Sequence, residues 1–207
     1  MSPSLRRAAW GAAAAVGGTI AVLIVALLGL FAVGYLKNFH LPAEAMAPTL
    51  EKGDRFVALM NGGRDLKRGD VIVLAVHDAT YVKRVAALGG DTIGLENGVV
   101  SLNGRIVPQR LLKEERRRGS GGAPVRRLAE QFPGEEAPHE ILDSGPSVVD
   151  DVPEVRVPSG FLFVLGDNRD VSADSRVSRD QMGVALLPVA DVKGRALFCT
   201  MGCKLGR

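Results

Sequence analysis

The sequence predicts a mainly β domain carried on one N-terminal transmembrane helix, and three observations predict it. No charged side chain occurs between Ala8 and Leu36. Beyond that stretch the chain breaks into short β-type runs, separated by turn signals such as Asn97-Gly98 and Asn103-Gly104. The composition, 46% hydrophobic and 24% charged over 207 residues, is globular on average, yet most of the Arg, Asp and Glu lies after Gly53. That length accommodates an anchor plus a domain with its own core. The expected division is 1–7 as a short leading segment, 8–36 as the membrane helix and 37–207 as the folded domain.

The helix comes first. Its run includes Ile20, Val22, Leu23, Ile24, Val25, Leu27, Leu28, Leu30 and Phe31. At ~1.5 Å per residue it would span ~40 Å, more than the ~30 Å hydrocarbon core, so it crosses once with tilt or overhang. Arg6 and Arg7 precede it, and the positive-inside rule keeps them in the cytoplasm with the remaining domain outside. Trp10 and Tyr35 stand near the two ends, where interfacial aromatics are favoured. A cleavable signal peptide is the rival, because Ala43-Glu44-Ala45 has the form of a cleavage site. The apolar run exceeds the ~7–15 residues of such a peptide, and Pro48 constrains the backbone nearby, so an uncleaved anchor is the expectation.

The strands follow. Arg55–Met60 and Val71–Val76 are apolar runs of strand length, and Ala79–Leu88 alternates loosely. Asp91–Leu95, Gly98–Leu102 and Arg105–Val107 are cut by the two Asn-Gly turns. Phe161–Leu165 and Arg195–Thr200 complete the set, which reads as a sandwich or barrel. From about 111 to 158 the chain is rich in Gly, Pro, Arg, Glu and Asp, and reads either as a mobile insertion or as a small β excursion. The stretch near Arg116–Pro124 is expected to be flexible.

Charge and cysteine content exclude several functions. The net charge of +3 comes without aromatics interleaved among the basic residues, so no nucleic-acid partner is expected. Lys113, Arg116, Arg117 and Arg118 read as a solvated loop. Cys199 and Cys203 have no neighbouring His and make no metal site. They form a small-loop disulfide in an oxidising compartment or remain free thiols.

Three segments carry chemistry: Leu41-Pro42-Ala43-Glu44-Ala45-Met46-Ala47-Pro48-Thr49-Leu50 with Gly53-Asp54; Gly69-Asp70, then Tyr81-Val82-Lys83-Arg84-Val85 and Gly90-Asp91; and the polar run from Gly166 to Arg176. Their order and spacing resemble the sequence boxes of bacterial type I signal peptidases, from the anchor to about Met182. The resemblance implies a signal-peptidase-type β catalytic domain and a Ser/Lys endopeptidase of the bacterial inner membrane. It would remove signal peptides from exported preproteins with small residues at −1 and −3. Membrane lipid would be its other partner, and no metal or organic cofactor is needed. By motif position Lys83 would be the general base, Ser172 would orient it, and Asp174 with Arg176 would brace the site. Leu41, Met46, Phe56, Ala58, Tyr81 and Val82 would shape the substrate pockets or pair with the substrate strand. A lysine serves as base only when burial in an apolar setting disfavours its ammonium form. Asp167, Asn168 and Arg169 are expected to serve turn geometry and internal hydrogen bonds more than chemistry, since buried polar groups need such partners.

One position departs from the pattern. Where the family places its nucleophilic serine, just before Met46, this chain has Ala45. Ala43 likewise lacks the hydroxyl that some members use at the oxyanion. On an extended chain Glu44 and Met46 point elsewhere and Thr49 lies too far away, so the chain as written is expected to bind substrate and not cut it. Either a working enzyme carries an inactivating Ser→Ala change, or the chain is a natural pseudopeptidase or a membrane-anchored peptide-binding module.

Overall fold

The computed structural model describes residues 3–76, 79–117, 124–201, 203 and 205, with the side chains of 3–15 and 201 outside the description. The expected flexible loop thus falls largely in 118–123, together with Arg118, outside the described residues. The side chains of Arg6, Arg7 and Trp10 lie outside them as well. The chain divides into two compact units, Met1–Lys37 and Asn38–Arg207.

The first unit is the helix α1 (Pro3–Ala32). It stops four residues short of the expected end because Gly34 takes φ +77° and closes a C-terminal cap. Tyr35 N–H donates to Leu30 O at 2.9 Å and Gly34 N–H to Phe31 O at 3.1 Å, the two bonds of a Schellman motif. From Val16 to Leu30 every side chain is exposed, apolar ones on all faces included. Among the described residues no helix is long and apolar enough to cross a membrane; the described side chains of α1 begin at Val16, so its first half lies outside that statement.

The second unit is mainly β. Its strands are β1 (Leu36–His40, entering from the unit boundary), β2 (Arg55–Leu59), β3 (Val71–Val76), β4 (Ala79–Leu88), β5 (Thr92–Glu96), β6 (Val99–Leu102) and β7 (Arg105–Ile106). Then come β8 (Gln109–Arg116), β9 (Pro124–Glu130), β10 (His139–Asp143), β11 (Val152–Arg156), β12 (Phe161–Leu165), β13 (Leu187–Pro188) and β14 (Val192–Met201). The main sheet runs β1-β2-β14-β3-β4-β12-β13, beside a four-stranded sheet β11-β5-β6-β7 and a three-stranded sheet β10-β9-β8.

The sequence explains this arrangement locally. β3 is apolar throughout because both faces are covered. Val71 and Val73 join the cluster of Leu41, Met46, Leu50, Phe56 and Val82, while Ile72 and Leu74 join that of Val85, Leu162, Val164 and Leu187. Asn97 and Gly98 take φ 50° and 77°, and Asn103 and Gly104 take 53° and 72°. These are the paired positive dihedrals that two-residue hairpins require, and they join β5 to β6 and β6 to β7. The 111–158 region resolves toward the β excursion. β8, β9 and β10 form their own sheet, and β11 pairs with β5. Ion pairs cross that small sheet, Arg127 with Glu115 and Glu140 at 2.7 Å each, alongside the buried Val125, Leu128, Ile141 and Leu142.

Cys199 and Cys203 are joined as a disulfide, with Cα atoms 5.8 Å apart. Both pack, with Leu205, against the cluster of Leu41, Met46 and Phe56.

Candidate active site

Strand β4 positions the first group. Successive side chains of a strand point to opposite faces, so neighbouring Lys83 and Arg84 are sent apart. Lys83 is 2% exposed and donates from Nζ to Ser172 Oγ at 2.9 Å. Burial is the main influence on its amine; with the positive charge of Arg176 it outweighs the pull of Asp174 and Asp167, so that the pKa falls to about 8. The Tyr81 ring centroid stands 5.9 Å from Nζ.

Ser172 follows the 3-10 turn Arg169–Val171 in an extended conformation and is buried. The loop holding it is wound around Asp174. The Asp174 carboxylate accepts from Gly166 N–H at 2.9 Å and from Arg176 Nε at 2.9 Å, with both ion-pair side chains wholly buried. Burial alone would raise the Asp174 carboxyl; Arg176 and Lys83 hold it below the usual carboxylate range. Gly166 is the close approach that lets these parts meet. A Cβ there would collide with the Ser172 side chain and with Ala45 O.

Ala45 sits in a turn, and this corrects the extended chain assumed from sequence. Ala47 N–H donates to Glu44 O at 3.0 Å and Leu50 N–H to Met46 O at 2.9 Å. The turn is fastened to the polar loop by main-chain groups: Asn168 N–H donates to Ala45 O and Asn168 Nδ2 to Glu44 O, each at 3.1 Å. Thr49 is excluded as a substitute nucleophile because its hydroxyl is buried and donates to Asp167.

Ala45 and Lys83 line one cavity of about 230 Å³, with Leu41, Ala43, Met46, Tyr81 and Val82 among its walls. Phe56 and Ala58, expected at the pockets, are not on those walls. Both are fully buried in the cluster that backs the cavity, because β2 is an inner strand between β1 and β14. Phe56 stacks against the lining residue Phe39, with ring centroids 5.5 Å apart.

Beside the cavity, β4 has an open edge. β3 pairs with it from Ala79 to Arg84, whereas β12 pairs only from Arg84 to Leu88. Val85 exchanges both main-chain bonds with Gly69 and Asp70 on the β3 side. Alternation therefore turns the N–H and C=O of Thr80 and Val82 to the unpaired side.

Sequence reasoning missed a second polar cluster. Arg84 grips Asp167 at 2.8 and 2.6 Å and donates to Thr49 Oγ1 at 3.2 Å, with Glu135 3.7 Å away. Burial would raise the Asp167 carboxyl, but Arg84 keeps it low. The signal was available: Arg84 lies inside an apolar strand, where a charge needs a partner. His139 Nδ1 meets Glu135 at 2.9 Å and its Nε2 lies 3.3 Å from Glu130, which also binds Arg169. A larger cavity of about 740 Å³ adjoins Arg84 and His139 and includes none of Ala45, Lys83 and Ser172. Among the described residues no group of three His, Cys, Asp or Glu is placed to hold a metal.

A family model described as "Signal peptidase, peptidase S26" matches residues 14–201. Signal peptidase I U of Bacillus subtilis strain 168 is 32% identical over 163 residues, 75% of this chain and 73% of that protein. Signal peptidase I of Bacillus caldolyticus is 34% identical over 160 residues, 76% of each. The solved signal peptidase I of Enterococcus faecalis V583 aligns with 65% of this chain and 98% of its own, at 22% identity and a TM-score of 0.37. The sequence matches establish that the chain belongs to the signal peptidase family, peptidase S26.

Proposed function

We propose that the chain is a membrane-anchored signal-peptidase-type protein that holds signal peptides of exported preproteins and, with Ala45 at the nucleophile position, does not cleave them. The observation that carries this is Lys83 Nζ, 2.9 Å from Ser172 Oγ, at the wall of a cavity it shares with Ala45. A lysine buried to a pKa of about 8 is the base that a serine at 45 would need. Ser172 orients that amine, and Asp174 with Arg176 supports the loop beneath it. The substrate lies as an added strand on the open edge of β4, bonding the main chain of Thr80 and Val82. Its small −1 and −3 side chains enter the cavity between Leu41, Met46, Tyr81 and Val82. A serine hydroxyl at 45 would start the acyl transfer, and the residue-45 amide would serve the oxyanion.

The anchor is α1. Its exposed apolar side chains on every face suit lipid rather than water, and 30 residues reach ~45 Å, beyond the hydrocarbon core. Arg6 and Arg7 at its start keep the N-terminus in the cytoplasm and the β unit outside.

The deciding experiment is Ala45→Ser in the full chain, in detergent or bilayer, with a preprotein carrying Ala-x-Ala before its cut site. Cleavage by the variant and none by the unaltered chain is the expected result. A folded variant that binds the preprotein and leaves it intact would favour the natural pseudopeptidase or peptide-binding reading.

A further inference from the structure

With no hydroxyl at residue 45, the cavity wall still carries a nucleophile. Lys83 lines the cavity of about 230 Å³, and its Nζ donates to Ser172 Oγ. Ala45 has no proton for the amine to take, so the lone pair meant for deprotonation is idle. Burial lowers the pKa to about 8, which leaves a sizeable neutral fraction near physiological pH. Leu41, Met46 and Val82 make the surrounding wall apolar. An apolar setting limits the water that would compete for an electrophile. His40, Thr80 and Tyr81 also line the cavity, but none has the primary amine that an imine requires.

We propose that Lys83 is a covalent capture site for aldehydes, held as a reversible imine, with a peptide ending in a small-residue aldehyde as its preferred carrier. The choice of carrier rests on the peptide groove argued above; the capture itself rests on the amine. The Nζ lone pair attacks the carbonyl carbon, and the carbonyl oxygen takes a proton to give a carbinolamine. The hydroxyl then leaves as water while nitrogen loses its remaining proton and the C=N bond forms. No oxidant or reductant is consumed. Ser172 Oγ, at 2.9 Å, is the group placed to pass the proton.

The test treats the full chain in detergent with acetyl-Ala-Phe-Ala-aldehyde or with propanal, traps imines with cyanoborohydride, and maps labelled lysines by mass spectrometry. Lys83 is expected to react at least about tenfold faster at pH 8 than exposed lysines such as Lys52, because a pKa of about 8 leaves roughly half of it neutral there. Its rate should level off above that pH. Lys83→Arg should abolish this labelling and leave the exposed lysines unchanged. Labelling by propanal alone upholds the amine and sinks the peptide groove. Labelling of Lys83 no faster than Lys52 with both probes, in a chain that unfolds cooperatively and binds the corresponding peptide alcohol, overturns the inference and spares the groove.

Discussion

A buried lysine costs the fold stability, and that cost can be measured. The folded Lys83 amine titrates near 8 against an ordinary 10.5, so the unfolded chain binds more protons between those values. Stability contributed at this position therefore rises with pH across that window and is lowest below it. Lys83→Met should raise the Tm at pH 7 and remove the rise; an unchanged Tm would count against strong desolvation. In an Ala45→Ser background the neutral amine is the working form, so cleavage should climb with pH and level off above about 8. Lys83→Met in that background should lose ~10²–10⁴-fold in rate, measured as initial cleavage of a preprotein. Asp167 has the opposite sign. Its carboxyl is held low, so its contribution is present above ~4 and lost as pH falls through the folded value. Asp167→Asn removes the nearer of the two carboxylates beside buried Arg84, leaving Glu135 at 3.7 Å, and should cost about 3 kcal/mol in denaturant unfolding.

The strands differ in how plainly the sequence announces them, and β4 shows why. Its bounds and those of β3 and β12 follow from apolar runs bounded by turn residues. The hairpins of β5 to β7 follow from Asn-Gly dihedrals. Asn97→Ala should cost about 1 kcal/mol for the left-handed backbone. Asn103→Ala should cost more, since its side chain also bonds Thr92 N–H and Asp91 at 2.9 Å each; equal losses in chemical denaturation would contradict this. β8 to β10 were legible only as a possible β excursion, because β8 is mostly charged and exposed, and in β9 and β10 the buried Val125, Leu128, Ile141 and Leu142 are interspersed with charged residues. Lys83 and Ser172 were legible from the motif, and the resemblance implied that the serine bonds and orients the lysine; how 89 residues of chain bring the two to 2.9 Å was not. The pairing of Arg84 with Asp167, and the cavity wall without Phe56 and Ala58, likewise needed the sheet order. The open edge of β4 predicts fast amide exchange at Thr80 and Val82 and slow exchange at Val85. A bound signal peptide should slow the first two by tenfold or more; no change on saturation would remove strand addition from the mechanism.

Over the whole β unit, a buried charge network ties the small sheet to the main one. Arg84, Arg169 and His139 face Glu130, Glu135 and Asp167, so three cations meet three anions only when the imidazole is protonated. Burial and Arg84 press the His139 pKa down, but Glu130 and Glu135 raise it overall. Its stabilisation is fully present below ~6.5 and is lost as pH rises through the higher folded value. His139→Gln should flatten that part of the stability profile, read from urea midpoints at several pH values; a retained slope would place the titration elsewhere. Position 45 stands apart from all such constraints. What fastens the turn there is the main chain of Ala45 and Glu44, so folding does not depend on which small side chain the position bears. Either residue leaves those main-chain bonds in place, so selection for a stable protein alone does not distinguish them. A lineage can lose or regain the hydroxyl silently, and the abundance of this protein in a cell is then no guide to its peptidase activity.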